Sequence, residues 1–60
     1  MNLTQLINQV ILIKNSIGNK SIERDLATRE NNRELVLTLA LDIYELKTEL
    51  DKTLNDIKFL

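Results

Sequence analysis

The chain has 60 residues, eight of them basic and nine acidic, a formal net charge of −1, and neither Cys nor His. These values allow one domain, residues 1–60, and exclude disulfides, the usual zinc sites, and thiol or imidazole catalysis. The near-neutral charge argues against a dedicated nucleic-acid binder. No apolar run is long enough to span a membrane, and the lack of cysteine fits a cytoplasmic protein.

The first predicted element is a helix over about residues 2–17. Ile7 and Ile11 widen its apolar stripe, Leu12 lies on the opposite side, and Asn2 or Thr4 can cap the start. The stripe recurs at the three- and four-residue steps of a helix, and its members are Leu3, Leu6, Val10, Ile13 and Ile17.

A charged connector is predicted for residues 18–32. Gly18 follows the last periodic residue, where helices often end with a glycine at positive φ. Ile22 and Leu26 are the only large apolar residues of the connector, so it can hold a short helix of its own but cannot line a core. Asn31–Asn32 are poor helix formers and indicate a kink or break, with a continuous helix as the alternative.

The longest predicted helix covers about residues 33–59 and carries a heptad pattern. Leu54 restores the apolar stripe beside the polar Thr53. β-Branched residues at a with leucine at d favour a two-stranded parallel coiled coil. The a positions are Val36, Ile43, Leu50 and Ile57, and the d positions are Leu39, Leu46, Thr53 and Leu60.

Residues 35–41 form an uncharged run with leucine at every second position. On a helix this run is apolar almost all the way round, which predicts two partners, since a surface helix of a small monomer buries one face. One stripe continues the heptads. The second stripe, Leu37, Leu41 and Tyr44, has no evident partner in the chain, so we predict an assembly interface at Leu37, Leu41, Tyr44 and Leu12.

Together these elements predict an all-α fold, a helical hairpin with a charged connector, completed as a helical bundle by oligomerisation. A domain this small usually needs oligomerisation or a partner to be stable. We expect the first helix to reach the apolar front half of the long helix. There, Leu35, Val36, Leu39 and Ile43 are expected to hold it.

Two charged series suggest other chemistry. Asp42, Glu45, Glu49 and Asp56 form a carboxylate row that could hold a divalent cation, although a solvated helix face is the favoured interpretation. A basic series could contact nucleic acid in a dimer, but acidic residues interleave with it, which favours a salt-bridged surface. The series consists of Lys20, Arg24, Arg29 and Arg33.

Two segments carry a resemblance to a known family. Residues 6–10, Leu-Ile-Asn-Gln-Val, with Ile13-Lys14 and Ile17, are similar to the first helix of the small sporulation aspartyl-phosphate phosphatases of bacilli. Residues 38–42, Thr-Leu-Ala-Leu-Asp, lie where that family has Ser-Gln-x-Leu-Asp. The last two residues match and a leucine replaces the glutamine. The resemblance implies a two-helix phosphorelay regulator in which Asp42 is the residue to test.

The sequence therefore predicts a small non-enzymatic helical protein for interaction, assembly or regulation, with no cofactor. Its expected partner is a second copy, with a dimer favoured, or a helical partner protein. A small dimeric nucleic-acid-binding regulator and a regulator like the sporulation phosphatases are the alternatives.

Overall fold

The computed structural model describes residues 2–60 and contains two helices, α1 (Leu3–Arg29) and α2 (Arg33–Lys58), which pack side by side. A short turn joins them, so the helices run antiparallel. The molecule measures 44 Å along the helices and 14 by 12 Å across. The predicted all-α helical hairpin is confirmed, and the predicted long helix over about residues 33–59 corresponds to α2.

Helix α1 begins with a reciprocal pair of hydrogen bonds. The Asn2 side-chain oxygen accepts from the Gln5 backbone N–H at 2.9 Å, and the Gln5 side-chain oxygen accepts from the Asn2 backbone N–H at 3.2 Å. This capping box satisfies N–H groups that have no partner within the helix. Of the two predicted caps, Asn2 is the residue used.

Helix α1 continues through Gly18, so the predicted helix end at that residue and the connector over residues 18–32 are wrong. Gly18 lies within α1 and has no positive φ. A glycine inside a helix costs about 1 kcal/mol relative to alanine. Packing of the following turns against α2 outweighs that cost, because Ala27 is buried and Arg24 is half-buried at the continued helical spacing.

The chain reverses at Glu30–Asn32, where Asn31 adopts a left-handed conformation with φ of 59°. The Asn32 N–H donates to the Ala27 carbonyl at 2.9 Å and the Asn31 N–H donates to the Thr28 carbonyl at 3.1 Å. These two bonds form a Schellman motif. The Asn32 side chain then caps α2 by accepting from the Leu35 N–H at 3.3 Å. The break at Asn31–Asn32 is confirmed, and the continuous helix is excluded.

The core is a single seam of heptad positions between the two helices. The heptad pattern predicted for α2 faces α1 of the same chain, so an antiparallel intrachain pair replaces the predicted parallel coil. The residues of α1 at the seam are Leu6, Val10, Ile13, Ile17, Lys20, Arg24 and Ala27. Those of α2 are Val36, Leu39, Ile43, Leu46, Leu50, Thr53 and Ile57.

The pairing of the helix halves differs from the expected one. Because both helices rise by about 1.5 Å per residue, residues equally far from the turn lie level. Leu6 therefore lies level with Ile57, and the apolar half of α1 packs on the back half of α2. The front half of α2 packs instead on residues 20–27, and Leu35 is exposed. The expectation failed because residues 18–29 continue α1 rather than forming a connector, so the chain reverses only at Asn31.

Thr53 and Leu54 exchange their expected roles. Thr53 is buried and its hydroxyl donates to the Glu49 carbonyl at 2.9 Å, whereas Leu54 is exposed. The hydrogen bond satisfies the hydroxyl, so a threonine fits the seam without an unpaired polar group. Leu54 is thereby left on one side of the hairpin.

Candidate interaction surface

The seam leaves much of the apolar surface uncovered. A compact protein of this mass, 7.0 kDa, exposes about 4,000 Å², whereas this chain exposes 4884 Å². Four apolar side chains are buried in the described part of the chain, against thirteen large apolar side chains that are exposed. The candidate site is therefore a surface rather than a cavity.

The most exposed apolar group on α2 is formed by Leu37, Leu41 and Tyr44, which we call the apolar ridge. Their exposed fractions are 69%, 60% and 71%. The three residues lie at i, i+4 and i+7, so they share one stripe of the helix surface. This stripe points away from the seam, because none of its residues occupies a heptad position that faces α1.

Leu12, the fourth predicted interface residue, is also exposed, at 66%, but lies on a different side of the hairpin. It lines a surface groove of about 450 Å³ together with Gln9, Glu49, Lys52 and Asp56, among others. Leu37 lines another groove, of about 340 Å³, beside Asn32 and Arg33 at the turn. The four residues therefore do not form one patch.

A second apolar patch at the open end of the hairpin was missed in the sequence. Ile7, Ile11 and Leu54 are each about half exposed, although the sequence pattern assigned all three to core stripes. Ile7 and Leu54 both lie next to the seam at nearly the same height, so they are neighbours across the hairpin. The heptad register of both helices, read together, would have revealed this patch.

The carboxylate row lies along the side of the hairpin that carries Leu12. The Lys20 ammonium contacts the Asp42 carboxylate at 3.4 Å, and both residues share a groove of about 280 Å³ with Glu45 and Glu49. Within residues 2–60, no three acidic side chains converge on a point that a metal ion could occupy. Glu45, Glu49 and Asp56 are exposed, and Asp42 is half-buried.

The basic series is divided by the fold. Lys20 and Arg24 are half-buried at the seam, whereas Arg29 and Arg33 are exposed on either side of the turn. A nucleic-acid-binding surface usually presents its basic side chains together on one face. The structure does not bring these four residues together in that way.

Comparisons with known proteins provide no further assignment. The chain matches no protein-family model, no curated protein and no solved structure. Within residues 2–60, neither helix combines the length and the apolar character required to cross a membrane.

Proposed function

We propose that this chain is a non-enzymatic helical interaction or assembly protein, and that it acts by packing exposed helix faces against a second copy or a helical partner. The apolar ridge is the observation that carries the proposal. Large apolar side chains grouped on one stripe are typical of an interaction site rather than of an inert surface.

The composition of the ridge also supports this role. Two leucines and a tyrosine offer apolar area, and the tyrosine hydroxyl can remain hydrated or bonded at the edge of a contact. Tyrosine is enriched among the residues that dominate binding energy. An amphipathic partner helix would engage such a stripe through its own residues at i, i+3, i+4 and i+7.

The test is the mass in solution of the wild type and of Leu41→Lys. We expect the wild type to be larger than a monomer at micromolar concentration, measured by light scattering coupled to gel filtration. Leu41→Lys should shift the protein to monomer, because a lysine in a buried apolar contact leaves an unpaired charge.

Asn55→Lys is the matched control. Leu41 and Asn55 are separated by two heptads and occupy the same outer position of α2, and both are exposed. The control adds the same charge about 21 Å along the helix from Leu41, so its mass should remain that of the wild type. A wild type that stays monomeric across the micromolar range contradicts self-assembly. Equal masses for the two variants contradict the ridge as its site.

A further inference from the structure

The two long sides of the hairpin carry different charges. One side, the lysine face, joins Leu37 and Tyr44 of the apolar ridge to the apolar patch at the open end, and Leu41 lies at the outer edge of this face. The other side, the carboxylate face, contains Leu12 and the carboxylate row. By heptad register, the lysine face includes Ile7, Lys14, Tyr44, Lys47, Leu54 and Lys58. The carboxylate face includes Leu12, Asp42, Glu45, Glu49, Lys52 and Asp56.

The charges that distinguish the faces lie near the middle of the hairpin. Lys14 and Lys47 are close to the midpoints of α1 and α2, and Glu45 and Glu49 are close to the same height on the opposite face. Two copies can pair through the same face about a twofold axis. Side chains near the middle of the helices then lie opposite each other, whether the two copies run parallel or antiparallel. Such a pairing brings the lysines of two copies together, or their glutamates. Like charges opposed in a contact are unfavourable.

The lysine face of one copy and the carboxylate face of another have complementary charges when the two copies lie side by side with no shift along the helices. Neighbouring residues of one helix differ in height by only about 1.5 Å, so each residue meets its near neighbours in sequence across the contact. Lys47 then meets Glu45 and Glu49 of the next copy, and Asp51 meets Lys52.

Other pairs follow the same rule. Lys58 meets Asp56, Leu37 meets Leu35, and the apolar Ile11 meets Leu12. Near the turn, Asp25 meets Glu23, a like-charge encounter on α1. Because the complementary pairs lie mainly on α2, this helix forms the centre of the contact.

We propose that copies of this chain assemble heterologously, with the lysine face of one hairpin packed in parallel register on the carboxylate face of the next. This inference rests on the proposed assembly function and identifies its partner as a second copy. The long side measures 44 by 14 Å between Cα atoms, a size suited to the roughly 800 Å² per partner of a specific interface. A heterologous contact repeats from copy to copy, so it produces a ring or an open filament rather than a closed dimer.

Charge reversal on one face at a time tests this arrangement. Lys47→Glu alters only the lysine face, and Glu45→Lys/Glu49→Lys alters only the carboxylate face. Each variant alone should require about tenfold or more protein to assemble than the wild type, measured by sedimentation velocity at low salt. A 1:1 mixture should regain assembly, because each variant supplies the native face that the other lacks. Asn55→Lys adds a charge at the outer position of α2 and reverses none on either face, so it serves as the control. Far-UV circular dichroism checks that every variant is helical.

The outcomes distinguish failure of the heterologous contact from failure of assembly itself. Loss of assembly by each variant, with recovery in the mixture, supports the heterologous contact. If the carboxylate-face variant keeps the mass of the wild type, or the mixture stays monomeric, the heterologous contact is overturned while assembly itself stands. If the wild type does not assemble, the self-assembly part of the proposed function fails as well, and the apolar ridge serves a partner other than a second copy. Weaker assembly at high salt is expected, since exposed charges are screened.

Discussion

At the scale of single residues, the turn depends on an asparagine and the helix tolerates a glycine. Asn31 has φ of 59°, a conformation that few residues other than glycine and asparagine adopt easily. Gly18 lies in the middle of α1, and a methyl group added at its Cα would meet nothing within 4 Å. A glycine-based helix end and a glycine inside a helix look alike in local sequence, so the sequence predicts a helix end at Gly18 although α1 continues to Arg29.

The two interpretations of Gly18 predict opposite effects for Gly18→Ala. In a helix interior the alanine should raise the free energy of unfolding by up to about 1 kcal/mol, because it lowers the entropy of the unfolded chain and favours the helix. For a domain of this size, that change raises Tm by roughly 4–8 °C. Thermal unfolding followed by circular dichroism at low concentration measures the effect.

Asn31→Ala is the companion variant, and it should lower Tm because alanine is strained at positive φ, whereas Asn31→Gly should not. If Gly18→Ala lowers the stability instead, residue 18 adopts the conformation of a helix end and the turn is misplaced.

At the scale of the helices, the seam is apolar in one half and mixed in the other. Toward the open end, leucine, isoleucine and valine fill the heptad positions of α1, whereas nearer the turn these positions hold Lys20 and Arg24. Front-half residues of α2 such as Leu39 and Ile43 are buried there against a helix that offers few large apolar side chains in return. The turn half is therefore the weaker part of the core.

Lys20→Leu should strengthen this half. The Lys20–Asp42 contact, at 3.4 Å, joins two side chains that are each more than a third exposed, and such pairs contribute at most about 1 kcal/mol. A leucine at the same seam position would bury apolar area beside Ile43 and Leu46, with a gain of roughly 1–2 kcal/mol. The net expectation is a small rise in the free energy of unfolding, measured by urea denaturation.

Asp42→Asn removes the same ion pair and adds no apolar contact, so it should lower the stability slightly. A larger loss in Lys20→Leu than in Asp42→Asn would show that the lysine stabilises the hairpin in a way that its contact with Asp42 does not explain.

Features of the helices that depend on residues close together in the chain could be predicted from the sequence, whereas those that depend on distant residues could not. The heptads of α2 were recognisable because apolar spacing is local, and the seam uses the same positions from Val36 to Ile57. The pairing of the helix halves was not recognisable, since it depends on the position of the turn. Leu54 is an example. The spacing of apolar residues does not show whether Leu54 or the adjacent Thr53 lies at the seam. The exposure of Leu37, Leu41 and Tyr44 was foreseeable because α2 has more apolar surface than one partner can bury.

At the scale of the whole molecule, a long hairpin with a narrow core is expected to gain stability from association. Five side chains in the described part of the chain are buried, and one of them is the polar Thr53. Small domains with so little buried surface are marginal as monomers. Exposed apolar side chains on both long sides can supply the missing burial only between molecules.

This coupling predicts that Tm depends on protein concentration. Binding that favours the folded state stabilises it in proportion to the logarithm of the partner concentration, and here the partner is the protein itself. A hundredfold range of wild-type concentration should therefore raise Tm steadily, as measured by calorimetry or circular dichroism in cells of different path length. Leu41→Lys should show a Tm that is independent of concentration and close to that of the dilute wild type. A wild-type Tm that does not change over this range would mean that the hairpin is stable by its own seam, and that the apolar ridge serves a partner other than a second copy.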